Sequence, residues 1–180
     1  MPNLVQPQNY LFILFISIAL SGCSGTSKRV TKALEPEAGD SARLRGVGVE
    51  TSFYVDQNVC GNHPELPLGI FVTKEVLTGM MFGSYLNRSL DMPAGADLSG
   101  KYWGEMHIQA GQPIQIRATY SRSRYGYVSC SVPVYFKPVK GRDYEAELII
   151  LNKICLLKLT DITGGGKLPV IVSKEKPECN

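Results

Sequence analysis

The chain has 180 residues, 19 Lys plus Arg against 16 Asp plus Glu, a formal charge of +3 and 44% apolar residues. That length fits one domain with a real core and argues against two; the apolar content excludes a long disordered chain and the small net charge excludes a strong polycation. Only one long apolar run is present, which excludes a multi-span membrane protein.

That run is Leu-Phe-Ile-Leu-Phe-Ile-Ser-Ile-Ala-Leu at residues 11–20, and residues 1–22 contain no Lys, Arg, Asp or Glu. Ten residues are half of what a bilayer-spanning helix needs and suit the apolar core of a signal peptide. The run leads into Leu20-Ser21-Gly22-Cys23. Small residues at 21 and 22 give a peptidase access to the backbone, and the cysteine offers a thiol for alkylation. The quartet resembles a bacterial lipobox, which implies cleavage before Cys23 and a diacylglycerol on its sulfur. One departure is the absence of Lys or Arg from the first ten residues. Two or three acyl chains hold a protein stably on a membrane. Ser24 follows the cysteine, not the Asp that retains many such proteins at the inner membrane, so the resemblance implies the periplasmic face of the outer membrane.

Residues 24–41 are small, polar and charged, contain no aromatic residue, and include Pro36 and Gly39. Such a stretch cannot bury enough surface to fold, so residues 23–41 are expected to form a lipidated end and a flexible tether, spanning roughly 20–25 Å as a coil. Lys28, Arg29 and Lys32 fit a solvated linker better than a head-group contact.

From residue 42 to 180 a single domain is expected. Short β-rich runs at 43–49, 52–55, 68–73, 105–109, 113–120, 127–136, 144–151, 154–160 and 168–173 are separated by Gly, Pro, Asn and Asp. Ile114, Ile116 and Ala118 alternate with Gln115, Arg117 and Thr119, the period of a half-buried strand. Pro133 lacks an amide donor, which places the 127–136 strand at an edge or at a bulge. The fold class is therefore all-β, an antiparallel sandwich of Ig-like or transthyretin-like type. At 74–87, Val76 and Met80, and Leu77, Met81 and Tyr85, stand at helical spacing; Gly79 and Gly83 weaken a helix, leaving a short helix or an irregular crossover. Residues 88–103 read as a loop.

Besides Cys23 the chain has Cys60, Cys130, Cys155 and Cys179, an even number that in an exported protein reads as two disulfides with three possible connectivities. Cys130–Cys155 with Cys60–Cys179 is the preferred one, because the first staples successive strands and the second pins the tail to an early loop; the other two remain open.

Ala42-Arg43-Leu44-Arg45, Cys60 after a strand, Ser89-Leu90-Asp91-Met92-Pro93, Ala110-Gly111-Gln112-Pro113, Ser129-Cys130, Phe136-Lys137-Pro138, Gly141-Arg142-Asp143-Tyr144-Glu145 and Cys155 follow one another in that order. This order resembles a group of small proteobacterial lipoproteins over most of residues 42–160. The resemblance implies a secreted β-sandwich and carries over no catalytic residue. The same block reads physically as a tight turn at 139–142 with Tyr144 packing behind it.

Signals of chemistry are thin. His63 follows Cys60 in Cys-Gly-Asn-His, half of a zinc site with no second pair at comparable spacing. Glu105 and His107 share a strand face and have the spacing of a base and its orienting group, although a surface pair is the blander account. Ser173-x-x-Lys176 lacks partner motifs, and the sequence contains no nucleophile elbow, phosphate loop or dinucleotide fingerprint. No enzyme, cofactor or metal is expected. The best contact surface is residues 117–127, where Arg117, Arg122 and Arg124 stand among Tyr120, Tyr125 and Tyr127. Both residue types are enriched at binding hot spots. Beyond the membrane itself, the partners expected are envelope proteins, anionic glycan or lipopolysaccharide, and not nucleic acid. The expected role is a non-enzymatic binding or scaffolding lipoprotein; the alternative is an envelope defence module acting as an inhibitor or immunity protein through a protruding loop.

Overall fold

The structure is a computed structural model that describes residues 31–37, 39–73, 85–122 and 128–179. Among the described residues ten strands are formed: β1 (Thr31–Lys32), β2 (Ser41–Gly48), β3 (Thr51–Asp56), β4 (Gly69–Val72), β5 (Tyr102–Gln109), β6 (Ile114–Arg122), β7 (Val128–Phe136), β8 (Asp143–Leu151), β9 (Ile154–Asp161) and β10 (Leu168–Pro169). They build two five-stranded sheets, β1-β4-β3-β6-β7 and β10-β9-β8-β2-β5. The sandwich expected from the two-residue period is what the chain forms.

Phe53, Phe71, Leu44, Met106, Ile108, Ile114 and Ile116 fill the space between the sheets and are essentially inaccessible to solvent. Gly46 makes room for this core: a Cβ there would lie 2.8 Å from the Phe71 ring. Pairing is antiparallel except at two places, β1 with β4 and β2 with β8. Parallel neighbours need a long connection, and β3 to β7 lie in the chain between β2 and β8.

Pro133 stands on β7, an edge strand as expected. Tyr135, two residues on, exchanges backbone hydrogen bonds with Ser173 on the side away from β6. Pro133 shares that outward phase, so its missing N–H removes no bond to β6. The tail expected as one strand over 168–173 divides its pairing between the sheets. Leu168 and Pro169 pair with β9, and Ser173 then pairs with β7.

One expectation changes at the start of the domain. The segment from 31 to 37, assigned to the tether, belongs to the folded body. Thr31 and Lys32 pair with Gly69 and Ile70, Ala33 is buried, and the Ala33 amide donates to the Ile70 carbonyl at 2.7 Å. Gly69 permits this approach, since a Cβ would strike the Ala33 backbone. Of the helix or crossover at 74–87, residues 74–84 lie outside the described residues. Tyr85 donates its amide to the Phe71 carbonyl at 2.7 Å and Asn87 turns at φ +61.

Both preferred disulfides are present. Cys130–Cys155 joins β7 to β9, and hence one sheet to the other, with the two Cα atoms 6.4 Å apart. Cys60–Cys179 ties the tail to the loop after β3.

Candidate functional site

The most elaborate arrangement of charged groups lies on the outer face of the second sheet. On β2, Ala42 and Leu44 point into the core, so Arg43 and Arg45 point outward. Arg43 lies in register with Asp143 and His107, and Arg45 with Glu145 and Glu105. Arg45 donates from Nε to Glu105 at 2.8 Å and from Nη1 to Glu145 at 3.1 Å. Its remaining reach goes to the carbonyls of Met92 and Pro93 at 3.1 and 3.0 Å. Arg45, Glu105 and Glu145 are all buried.

Arg43 grips Asp143 with two bonds, 2.6 and 2.8 Å, and donates to the Leu90 carbonyl at 2.8 Å. The Asp143 carboxylate holds the Arg43 guanidinium above its usual pKa, against the opposing effect of burial. The two glutamates reach the same loop from below. Glu105 accepts the Leu90 amide and Glu145 accepts the Ala96 amide at 2.8 Å. Gly95 must lack a side chain here, because a Cβ would fall onto the Glu145 carboxylate. Lys101 closes the row on Glu147 at 2.8 Å.

This network is a clamp that fastens residues 88–101 over the sheet. It unites three segments distant in the chain: the arginines of 42–45, the carbonyls of 89–93 and the carboxylates of 141–145. Every buried side-chain nitrogen or oxygen among the described residues has a partner. A set of charges so fully paired specifies where the loop lies; it does not present a group poised for proton transfer.

The pairing of Glu105 with His107 is not formed, because Arg45 and the Leu90 amide occupy that carboxylate. Instead the His107 backbone amide donates to Glu35 at 2.7 Å. Cys60 is bridged and no longer a thiolate ligand, while His63 Nδ1 sits 3.0 Å from Glu65. A hydrogen bond from its own backbone amide, with His63 adding to it, holds the exposed Glu65 below the usual carboxylate range. These two residues line an open cleft of about 710 Å³ with Glu35, Glu37 and Asp40. Glu35 is engaged by Arg88 at 2.9 Å and Asp40 by Lys140 at 2.5 Å. Ser173 and its neighbours serve the tail: the Ser173 hydroxyl donates to the Glu175 carbonyl at 2.9 Å.

The expected Arg and Tyr surface is divided by the pleat. Tyr120 is only 8% exposed and belongs to the core, in phase with Ile114, Ile116 and Ala118. Arg117 lies on the opposite face and donates to Gln115 at 2.9 Å, which in turn donates to the Tyr135 hydroxyl at 2.5 Å. Arg122 is half exposed at the end of β6, 3.8 Å from Glu50 in the β2–β3 turn. Arg124, Tyr125 and Tyr127 lie outside the described residues. Arg122 is thus the described member of the group that is open to a partner at the strand end.

Two features escaped the sequence reading. The clamp carried a signal, since Arg43 and Arg45 repeat the two-residue spacing of Asp143 and Glu145. The second is a row of exposed aliphatic side chains near the β8–β9 turn, Leu151, Ile154 and Leu156. No family model and no curated protein matches the chain.

Proposed function

We propose that this protein is a cell-envelope lipoprotein, anchored through Cys23 and facing the periplasm, with a non-enzymatic binding or scaffolding role. The observation that carries this reading is the cysteine accounting. Cys60, Cys130, Cys155 and Cys179 pair off within one domain, as in proteins of oxidising compartments, which leaves Cys23 without a partner in its own chain. That odd cysteine is the last residue of Leu20-Ser21-Gly22-Cys23, behind a ten-residue apolar run. A rigid clamped body on a membrane tether suits holding or spacing other envelope components. The contact falls to the strand-end surface that Arg122 opens, continued in sequence by Arg124 and Tyr125, which favours acidic protein surfaces or anionic glycan and lipopolysaccharide.

Labelling with palmitate tests the anchor. The unsubstituted chain is expected to take up label and fractionate with membranes, and Cys23→Ser to lose both while keeping its two bridges and its melting transition. Label retained by Cys23→Ser refutes the anchor. The contact is tested by crosslinking in intact envelopes, with the Arg122→Ala, Arg124→Ala and Tyr125→Ala changes combined. The combined variant is expected to lose the partners recovered with the parent; an identical set of partners refutes the strand-end surface.

A further inference from the structure

We infer that the β8–β9 hairpin makes a second contact with the bilayer, docking its aliphatic outer face and flanking lysines on an anionic phospholipid surface. The inference rests on the proposal that Cys23 is lipidated. On this hairpin Ile149 pairs with Leu156 and Leu151 with Ile154, all on the outer face of the sheet. Leu151, Ile154 and Leu156 are 65%, 70% and 56% exposed. On the inner face of the same two strands, Leu148 and Leu157 are buried in the core. An antiparallel sheet with one wet face alternates apolar and polar residues, so strands that are apolar on both faces leave one apolar face to be covered. Val49, 48% exposed in the turn after β2, stands at this same end of the sandwich.

Lysines border the aliphatic row on both sides. Asn152 and Lys153 form the two-residue turn with φ of +47 and +68, which places Lys153, an exposed residue, at the apex. Lys158, also exposed, follows Leu156 by two residues on the same face. The carboxylate opposite Lys158 is that of Glu147, which is already engaged by Lys101. At the neighbouring strand end Glu50 faces Arg122. Aliphatic side chains bordered by lysines, whose stems lie along apolar surface while their ammonium groups reach phosphate, are the composition of a membrane-interface contact.

Size and tether length select the occupant. A stable protein complex buries roughly 800 Å² per partner and is centred on aromatic or arginine anchors, and a row of four aliphatic side chains offers much less. Flanked by its lysines, such a row gives a weak contact with an anionic surface on its own and a well-occupied one where that surface is already held close. Eight residues lead from Cys23 to Thr31, the first residue of β1, and span at most about 28 Å when fully extended. That is about the length of the eight- and nine-residue strands themselves, so the hairpin stays within reach of the bilayer and a weak contact is occupied through its high effective concentration.

The experiment uses the Cys23→Ser chain, which has no acyl group, in co-sedimentation with vesicles of phosphatidylethanolamine and phosphatidylglycerol or of phosphatidylcholine alone. Binding to the phosphatidylglycerol vesicles is expected, falling about tenfold on adding Leu151→Ser with Ile154→Ser, and falling with Lys153→Glu or raised salt, with thermal unfolding unchanged. A parent that ignores the anionic vesicles, or variants that bind as the parent does, would overturn the inference. So would a parent that elutes as a dimer and becomes a monomer in the variants, since the row would then cover a second copy. Palmitate labelling of the unsubstituted chain separates the two proposals. Label present without vesicle binding removes the hairpin contact alone, whereas vesicle binding without label removes the anchor alone.

Discussion

Along β8 and β9 the outer face of one sheet changes character within six residues. Glu145 and Glu147 lie under or beside the loop of residues 88–101, one buried against Arg45 and the other held by Lys101. Ile149 and Leu151 follow on the same face, and Leu151 is 65% exposed. Charge is covered at one end and aliphatic surface is open at the other, the reverse of what solvation alone favours. The clamp end therefore exists through specific partners, and the hairpin end through the absence of any within the described domain. A region whose every charge is matched inside the fold serves the fold. A region that leaves apolar surface in water is available to something outside it.

The largest effect is expected at the clamp. Arg45→Met removes the guanidinium between two carboxylates that stay buried, and losing one partner of a buried ionic group costs about 3–5 kcal/mol. Denaturant unfolding should register that loss, and protease cleavage should appear first within residues 88–101, which Arg45 holds by the Met92 and Pro93 carbonyls. Unfolding at the parent's midpoint would mean that the loop is held without the arginine. The comparison of the two ends would then fail.

The staple between the sheets comes next. Cys130→Ala opens a loop of 25 residues between β7 and β9, worth about 3 kcal/mol on the chain-entropy model and 2–5 kcal/mol in typical small secreted domains. It sharpens the contrast because it lies toward the hairpin end, where no ionic clamp backs the sheet. Calorimetry under oxidising conditions is expected to show a lowered melting temperature, with the Cys60–Cys179 bridge intact by mass. An unchanged transition would make the strand ladders sufficient alone.

The sandwich was legible because its signal is local. Alternation at Ile114–Ala118, the proline within β7 and an even set of four cysteines each act over a few residues or through simple counting. The clamp joins residues 60 and 100 positions apart. Alternation marks Arg43 and Arg45 as sharing a face but is silent on which loop covers it. Strand β1 was illegible for another reason: two residues cannot display a period, and its docking depends on the missing side chain of Gly69. The Arg and Tyr run shows the converse. Its composition pointed to a surface, but the pleat of β6 assigns Tyr120 to the core, a consequence already present in its spacing from Ile116 and Ala118.

The smallest effect is expected where the row is most exposed. Leu151→Ser should change stability by less than about 0.5 kcal/mol, as surface substitutions do. Leu148→Ala, three residues earlier on the same strand but facing the core, should cost about 2–5 kcal/mol. The ratio of these two values in parallel urea titrations measures whether Leu151 is bare in the folded protein. A cost of 2 kcal/mol or more at Leu151, on the scale of a core truncation, would mean that part of the chain covers the row. The hairpin would then belong to the fold as the clamp does, and the bilayer would have no aliphatic face to meet.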